Sequence, residues 1–316
     1  MKASEEYLPK ELISMLKRQH YALFGHSAAK LCHWTKASLR GKGTCYKQKF
    51  YGIQSHRCLQ MTPAVAWCQQ QCIFCWRPLT TMGTSMKSFD EPEEIVGASI
   101  EKQRLLLTGY GALEKEIGEK KLEEANNPNQ VAISLSGEPT TYPKLDELVG
   151  LYKKKGFTTF VVSNGMNPEM LGKIKPSQLY LSLESPTKEI HKSLNAPLIK
   201  DSWERLNESL ELFPSIKTRK VIRITAVKGR NMKDEEKFAK LIEKAAPHYL
   251  EIKSYMFVGF SRQRLKQENM PLMDEVVEFS EKIAEHSGYS IKDSSKESRV
   301  VLLARNDLKG EDAKLQ

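Results

Sequence analysis

The sequence predicts an α/β fold built on a parallel β-sheet, and two observations support this prediction. Six short apolar segments alternate with helical segments between Cys58 and Gly288, which is the pattern of a sheet whose strands are connected by crossover helices. The strand segments are rich in β-branched residues and apolar along nearly their whole length, as strands covered on both faces should be. Periodicity does not distinguish an open doubly wound sheet from a barrel.

Each predicted strand is followed by a predicted helix, and some helix ends carry clear signals. Pro92 suits the first turn of the first of these helices, and Gly156 suits the end of the second. The predicted strands are 58–66, 130–135, 158–163, 178–185, 221–227 and 249–255, and the helices are 91–107, 142–156, 168–174, 201–213, 234–246 and 273–288. We also expect a helix over 5–24, an irregular segment over 25–57, and a terminal strand pair at 289–294 and 298–304.

Composition and charge restrict the class of protein. The 316 residues are 40% hydrophobic and contain no run of eighteen apolar residues, so we expect one large core, no membrane span and a cytoplasmic location. In a reducing compartment, six cysteines indicate metal binding or catalysis before disulfides. The net charge is +10, and residues 1–60 hold eleven Lys or Arg against three Asp or Glu. This basic segment is either a solvated face or a phosphate-binding surface, and charge alone leaves both open.

Three cysteines follow the first predicted strand at the spacing C-x3-C-x2-C: Cys68, Cys72 and Cys75. Structural zinc usually takes four protein ligands, so a zinc site would need a further ligand from elsewhere. A 4Fe-4S cluster held by three thiolates would instead leave one iron open to a small molecule. Three ordinary buried cysteines are the remaining alternative, which their clustering in one loop disfavours.

With Phe74 before the last cysteine, the loop resembles the cluster motif of the radical S-adenosylmethionine (SAM) superfamily. In that superfamily the open iron binds the amino and carboxyl groups of SAM, and an electron from the cluster cleaves SAM to methionine and a 5′-deoxyadenosyl radical. The resemblance implies that the three cysteines hold a 4Fe-4S cluster and that Phe74 lies at the cofactor site. The cofactor carries the chemistry, and the protein positions and shields it.

Polar residues at later strand ends are candidates for binding SAM. The stretch "SLSGEPTTYP" resembles the glycine-rich motif of the same superfamily, with Ser136 in place of its first glycine. Gly137 lets the backbone approach closely, and Glu138 offers a carboxylate to the ammonium group of SAM. Further SAM neighbours are predicted at Asn164, Ser182 and Glu184. The alternatives are a plain strand-to-helix turn at Gly137 and a buried Glu–Arg network, with Arg223, that has no ligand role.

The other cysteines, Cys32, Cys45 and Cys58, are separated by thirteen residues each. Such spacing allows a zinc site completed by His33 or His56, or a second iron–sulfur cluster, and does not choose between them.

Longer motifs extend the resemblance to most of the chain. "MTPAVAWCQQQCIFCWRP", "SLSGEPTTYP", "ITAVKGRNM" and "YLEIKSYMFVGFSRQRL" are similar to the 4-demethylwyosine synthase family of tRNA-modifying radical SAM enzymes, from about Cys32 to Arg305. In that family three upstream cysteines, matched here by Cys32, Cys45 and Cys58, hold a second 4Fe-4S cluster. The family fold is an incomplete barrel of six β/α units, a TIM-like (β/α)6 arrangement. The implied divisions are a basic N-terminal extension (1–57), the partial barrel (58–288), and a C-terminal strand pair and tail (289–316).

The resemblance also implies a reaction of the carbon–carbon lyase type. The family converts 1-methylguanosine, next to the anticodon of phenylalanine tRNA, into the tricyclic base of 4-demethylwyosine, using pyruvate. An unreactive methyl C–H bond requires a radical to abstract its hydrogen. Lys47 corresponds to the family lysine proposed to form a Schiff base with pyruvate. An open iron of the second cluster could instead chelate pyruvate, and the sequence does not choose between the iron, Lys47 or both in turn. The chain is expected to act as a monomer, with electrons from an external donor such as ferredoxin or flavodoxin.

The basic segment then has a natural partner in tRNA phosphates, which would make binding depend strongly on salt. The candidate phosphate-binding residues are Lys36, Arg40, Lys42, Lys49, Arg57, Arg262 and Arg264. Two alternatives remain open from sequence: a radical SAM enzyme acting on another RNA or on a protein, and a zinc-stabilised RNA-binding module without redox chemistry.

Overall fold

Ten strands form one sheet in the computed structural model, which describes residues 1–79, 82–308 and 314–315. The spatial order is β1-β2-β3-β4-β5-β6-β7-β8-β10-β9. The strands are β1 Ala22–Phe24, β2 Ser27–Ala29, β3 Cys58–Thr62, β4 Gln130–Ile133, β5 Thr158–Ser163, β6 Gln178–Ser182, β7 Arg219–Ala226, β8 Tyr249–Ser254, β9 Tyr289–Ser295 and β10 Val300–Arg305.

The six central strands, β3 to β8, are parallel, and this confirms the predicted parallel sheet. Antiparallel strands lie at both edges, with β2 beside β3 and β10 beside β8. The first parallel strand ends at Thr62 rather than at residue 66, because Pro63 has no backbone N–H to continue the ladder. The carboxyl ends of the parallel strands meet at one edge. The loop that contains Cys68, Cys72 and Cys75, here called the first cysteine loop, begins at this edge after β3.

Helices connect the parallel strands as expected. They are α1 Lys10–Arg18, α2 His33–Leu39, α3 Tyr46–Tyr51, α4 Pro92–Leu107, α5 Glu114–Ile117, α6 Glu119–Asn126, α7 Leu145–Lys154, α8 Pro168–Lys173, α9 Lys188–Ile190, α10 Ser202–Leu212, α11 Glu235–Ala245 and α12 Met273–Glu285. No described helix is long and apolar enough to cross a membrane.

The N-terminal 57 residues differ from the sequence prediction. The helix expected over 5–24 begins only after Pro9 and ends at Arg18, since His20 has a positive φ of 61°, and Leu23 lies in β1. The segment expected to be irregular contains β2, α2 and α3. The predicted domain boundaries at residues 57 and 288 and the closure into a partial barrel stay predictions. Residues 309–313 and 316 of the predicted C-terminal tail lie outside the described residues.

Apolar side chains cover the sheet on both faces, which explains why the strands are apolar throughout. On one face the crossover helices pack on alternate strand residues such as Leu179 and Leu181. On the other face Tyr180, between those two leucines, packs with Tyr46 and Tyr51 of α3. The short helix α3 therefore lies on the face of the parallel strands opposite the crossover helices, and it brings the residues around Cys45 to that face.

Candidate active site

The first cysteine loop is fixed by backbone hydrogen bonds to the segment after β6. The Gln71 N–H donates to the carbonyl of Asn195 at 3.1 Å, and the Ile73 N–H donates to that of Leu194 at 2.9 Å. The Leu198 N–H donates in turn to the carbonyl of Gln69 at 2.8 Å. These bonds hold the loop in a defined shape, although none of its described residues belongs to a helix or to a strand of the sheet.

Two side-chain amides point at the thiols of this loop. Asn164 donates from Nδ2 to Cys68 Sγ at 3.7 Å, and Asn195 donates from Nδ2 to Cys72 Sγ at 3.6 Å. Burial raises the pKa of Cys68 to about 12 and also raises that of Cys72. These two metal-free thiols are therefore neutral, and a bound metal would have to displace their protons.

Gly137 and Glu138 lie against the start of this loop. Gly137 has a φ of +64°, and a Cβ there would lie 1.8 Å from the carbonyl oxygen of Ala64. Buried Glu138 accepts hydrogen bonds at Oε1 from Thr140 and Ser163 and at Oε2 from the Asn164 N–H at 2.8 Å. Burial raises the pKa of this carboxyl, and these donors oppose that rise. Among the described residues Oε2 accepts only this hydrogen bond, so it can accept another.

The remaining predicted SAM neighbours lie at the same edge. Glu184 is 5% exposed, and its carboxylate accepts from the Thr225 N–H at 2.5 Å and from Thr225 Oγ1 at 3.1 Å. Burial raises its pKa to about 7. Ser182 is half-buried at the end of β6. Phe74 is also half-buried and packs on an apolar cluster that includes Tyr255. The alternative of a buried Glu–Arg network paired Glu184 with Arg223. In the structure Arg223 instead pairs with Glu251 of β8.

The second set of cysteines comes from three different elements and lines one cavity of about 160 Å³. Cys32 precedes α2, Cys45 precedes α3, and Cys58 begins β3. Ser55 connects these elements: its Oγ accepts from the Cys45 N–H at 2.9 Å, and its carbonyl accepts from Thr35 of α2 at 3.2 Å. Burial raises the pKa of Cys45 and of Cys58, with Cys32 the next contributor to both shifts.

Lys47 lines the same cavity. Its Nζ lies 4.3 Å from the centre of the Phe160 ring and 4.5 Å from that of Tyr180. Burial, followed by the charge of Arg223, lowers the pKa of this amine to about 8. The amine is therefore held beside the second set of cysteines by α3 and by two aromatic rings of the sheet.

The first cysteine set suits a 4Fe-4S cluster. Within the described part of the chain, no three His, Cys, Asp or Glu side chains converge closely enough to hold one metal ion. A four-iron cluster binds each thiolate to a different iron and so does not need such close convergence. Amide donors aimed at the sulfurs of Cys68 and Cys72 also suit a cluster, since such hydrogen bonds tune its potential.

The predicted phosphate-binding residues divide into two groups. Three already have protein partners. Lys49 pairs with Asp293 at 2.6 Å, Arg57 donates to the carbonyl of Asn127, and half-buried Arg264 donates to carbonyls of the first cysteine loop. Of the other four, Arg40 lies over the Tyr110 ring and Arg262 over the Phe257 ring, and both are exposed. Lys42 is also exposed, and Lys36 is half-buried.

Sequence reasoning missed several residues that support the two sites. Arg264 donates from Nε to the Ile73 carbonyl at 3.1 Å and from Nη2 to the Cys75 carbonyl. Arg264 was predicted only as a phosphate-binding residue, and Asn195 and Ser55 were not identified. Polar side chains of these types are common in loops, and no local motif marks them; only their contacts in the folded chain do.

The comparisons with known proteins agree with this geometry. Residues 63–242 match the family described as "Radical SAM superfamily", and residues 244–305 match "Wyosine base formation". The fold and the cysteine loop thus define a radical SAM enzyme, a class whose members use SAM and a 4Fe-4S cluster.

Relatives define the family more closely. The tRNA 4-demethylwyosine synthase of Pyrococcus abyssi is 51% identical over 95% of this chain and 90% of its own length, and that of Methanocaldococcus jannaschii is 42% identical over 96% and 98%. A solved structure of TYW1 with a lysine–pyruvate adduct bound has a TM-score of 0.91 and 42% identity over 98% of this chain and 99% of its own. The chain belongs to the SAM-dependent tRNA 4-demethylwyosine synthase family. This membership decides against the zinc-stabilised RNA-binding module.

Proposed function

We propose that this protein condenses 1-methylguanosine of phenylalanine tRNA with pyruvate to form 4-demethylwyosine. The observation that carries the proposal is the single cavity that brings Cys32, Cys45 and Cys58 together with Lys47. Family membership supports the same reaction, and the TYW1 structure with a lysine–pyruvate adduct supports an amine as the pyruvate-binding group. A cytoplasmic location, a monomeric state and an external electron donor stay predictions.

In this proposal each cysteine set holds one 4Fe-4S cluster. Cys68, Cys72 and Cys75 would hold the first, which supplies the electron that cleaves SAM into methionine and a 5′-deoxyadenosyl radical. Cys32, Cys45 and Cys58 would hold the second. The role of the chain around the first cluster is to orient SAM, with Glu138 Oε2 placed to accept from its ammonium group.

Lys47 would bind pyruvate covalently. Its nitrogen attacks the keto carbon, and the keto oxygen leaves as water with the two protons of the amine, so that an imine remains. The rings of Phe160 and Tyr180 restrict the position of this amine. A pyruvate carbon is thus fixed inside the protein, where a radical on the tRNA methyl group could reach it before being quenched.

The test is an assay with 1-methylguanosine-containing tRNA, SAM, reductant and labelled pyruvate, read by mass spectrometry of the tRNA. We expect labelled 4-demethylwyosine from the wild type. Lys47→Ala should give no product yet retain SAM cleavage that is uncoupled from product formation, because the first cysteine loop is untouched. Normal product formation by Lys47→Ala would remove Lys47 from the mechanism, and product from tRNA lacking the methyl group would contradict the proposed substrate.

A further inference from the structure

The cavity that contains Lys47 also contains a charged side chain that the reaction described above does not use. Arg223 of β7 lines it together with the three cysteines. Its guanidinium lies 4.5 Å from the centre of the Tyr180 ring, and Lys47 Nζ lies at the same distance from that ring. The amine and the guanidinium are therefore both placed against one aromatic side chain.

The guanidinium is held rigidly on one side. Arg223 donates from Nε at 3.1 Å and from Nη2 at 2.7 Å to Glu251 Oε2, and Nη2 also donates to the Tyr46 hydroxyl at 2.6 Å. The other carboxylate oxygen of Glu251 accepts from Tyr51 at 2.6 Å and Tyr180 at 3.1 Å. The Nη1 group takes no part in these bonds. The network fixes the plane of the guanidinium and leaves its Nη1 group for another acceptor.

The charged groups beside this cavity are of different kinds. Glu251 is fully buried and forms the ion pair with Arg223. Lys253, on the strand that carries Glu251, lies 4.9 Å from the centre of the Tyr46 ring. Burial lowers the pKa of Lys253, whereas the guanidinium of Arg223 stays charged. Arg223 is therefore the side chain of this cavity that is best suited to bind an anionic ligand.

We propose that Arg223 binds the carboxylate of the 2-oxo acid whose keto carbon reacts with Lys47. The inference rests on the proposed function, since it assigns a further residue to the same substrate. Arginine suits this role because its guanidinium is always charged and its Nη1 group can donate to a carboxylate while Nε and Nη2 are held by Glu251 and Tyr46. Arg223 thereby selects 2-oxo acids over neutral ketones. The carboxylate itself is unchanged as the imine forms, with water as the only product released.

The test measures which carbonyl compounds the protein captures. The full-length protein, reconstituted with iron and sulfide, is incubated with pyruvate or with methyl pyruvate, treated with borohydride to reduce any imine, and analysed by peptide mass spectrometry at Lys47. The wild type should prefer pyruvate over its uncharged ester by at least about tenfold, because a hydrogen bond between charged groups is lost with the ester.

Two variants remove the guanidinium in different ways. Arg223→Lys keeps the charge and loses the fork of donors. The double variant Arg223→Gln/Glu251→Gln removes both charges, so that no carboxylate is left unpaired. Both should lose the preference for pyruvate, and the pyruvate KM for product formation should rise at least about tenfold where the variant still turns over.

The matched control is Arg219→Lys. Arg219 lies on the same strand and also stacks on an aromatic ring, 5.2 Å from the centre of Tyr51, but it does not line this cavity. It should keep the preference for pyruvate. Rates of uncoupled SAM cleavage equal to the wild type would show that the variants are folded.

Two results would contradict the proposals separately. A wild type that forms the adduct, with Arg223 variants that keep the full preference for pyruvate, would overturn the role of Arg223 alone. A wild type that forms no adduct at all would overturn the role of Lys47, and the role of Arg223 with it.

Discussion

Gly137 occupies a position that no residue with a side chain fits. A Cβ there would lie 1.8 Å from the Ala64 carbonyl oxygen and 2.6 Å from that of Trp67, and its φ of +64° already disfavours other residues. Both contacts are backbone atoms, which cannot move aside as a flexible side chain can. The close approach lets the Glu138 N–H donate to the Trp67 carbonyl at 2.7 Å. It therefore fixes the start of the first cysteine loop.

We expect Gly137→Ala to lower the free energy of unfolding by about 3 kcal/mol or more, because both strain and steric overlap must be relieved. Gly156→Ala is the control: its φ is +80°, but nothing lies within 4 Å of the added Cβ, so the cost should be about 1 kcal/mol. Urea unfolding of the two metal-free variants measures both. Equal losses would mean that the close contact with the cysteine loop relaxes freely.

His191 makes stability depend on pH. Its ring is 2% exposed, its Nε2 lies 2.6 Å from Ser202 Oγ, and burial lowers its pKa to about 4 from 6.5. Between these values the unfolded chain binds a proton that the folded chain does not, so stability is full above pH 6.5 and falls as the pH drops. Through this residue the protein should be about 2 kcal/mol less stable at pH 5 than at pH 7.

The measurement is the unfolding free energy at the two pH values for the wild type and for His191→Gln. The variant should lose this part of the pH dependence. His286→Gln, at an exposed position just after α12, should behave as the wild type does. The same pH dependence in His191→Gln would show that another group is responsible.

At the scale of elements, the turn after β8 is a support for the first cysteine loop. Arg264 donates to the carbonyls of Ile73 and Cys75, and the Phe260 N–H donates to the Trp76 carbonyl at 2.9 Å. Arg264 was predicted as a phosphate-binding residue, and in the structure its Nε and Nη2 are directed to this loop. Its neighbour Arg262 is exposed and remains a candidate for contact with tRNA.

This difference predicts opposite effects for two similar substitutions. Arg264→Gln should loosen the loop and reduce the iron retained at the first site severalfold, while tRNA affinity changes little. Arg262→Gln should keep the full iron content and weaken tRNA binding, with a smaller dependence on salt. Iron analysis and tRNA-binding titrations at two salt concentrations test both. Normal iron content in Arg264→Gln would exclude the supporting role.

The sequence predicted elements well where the pattern is repeated and poorly where it is not. The parallel strands and long helices contain several consecutive apolar positions with a clear period. The helices α2 and α3 have seven and six residues, which are too few to show a period. They form because α3 packs on the sheet and α2 packs against the helices α4 to α6. The cysteines were found by their spacing. The contacts of Asn195 and Arg264 with the first cysteine loop were not predicted, because these residues lie 123 and 189 positions from their partners Cys72 and Cys75.

For the whole molecule, the two cysteine sets predict two separate metal contents. Anaerobic reconstitution should give about eight irons per chain, and Cys45→Ala and Cys68→Ala should each retain about four. Only Cys68→Ala should lose SAM cleavage, whereas Cys45→Ala should lose product and keep cleavage. Iron analysis with a SAM cleavage assay measures both. About four irons in the wild type would refute the second cluster.

The position of α3 sets an order of events during synthesis. Tyr46 and Tyr51 bond Glu251, which lies 205 and 200 residues later in the chain, so α3 cannot reach its place until β8 has left the ribosome. Contacts of such long range are slow to form. Cys45 and Lys47 are therefore synthesised long before the strand that completes their pocket, and we expect this pocket to assemble only after β8 has been made.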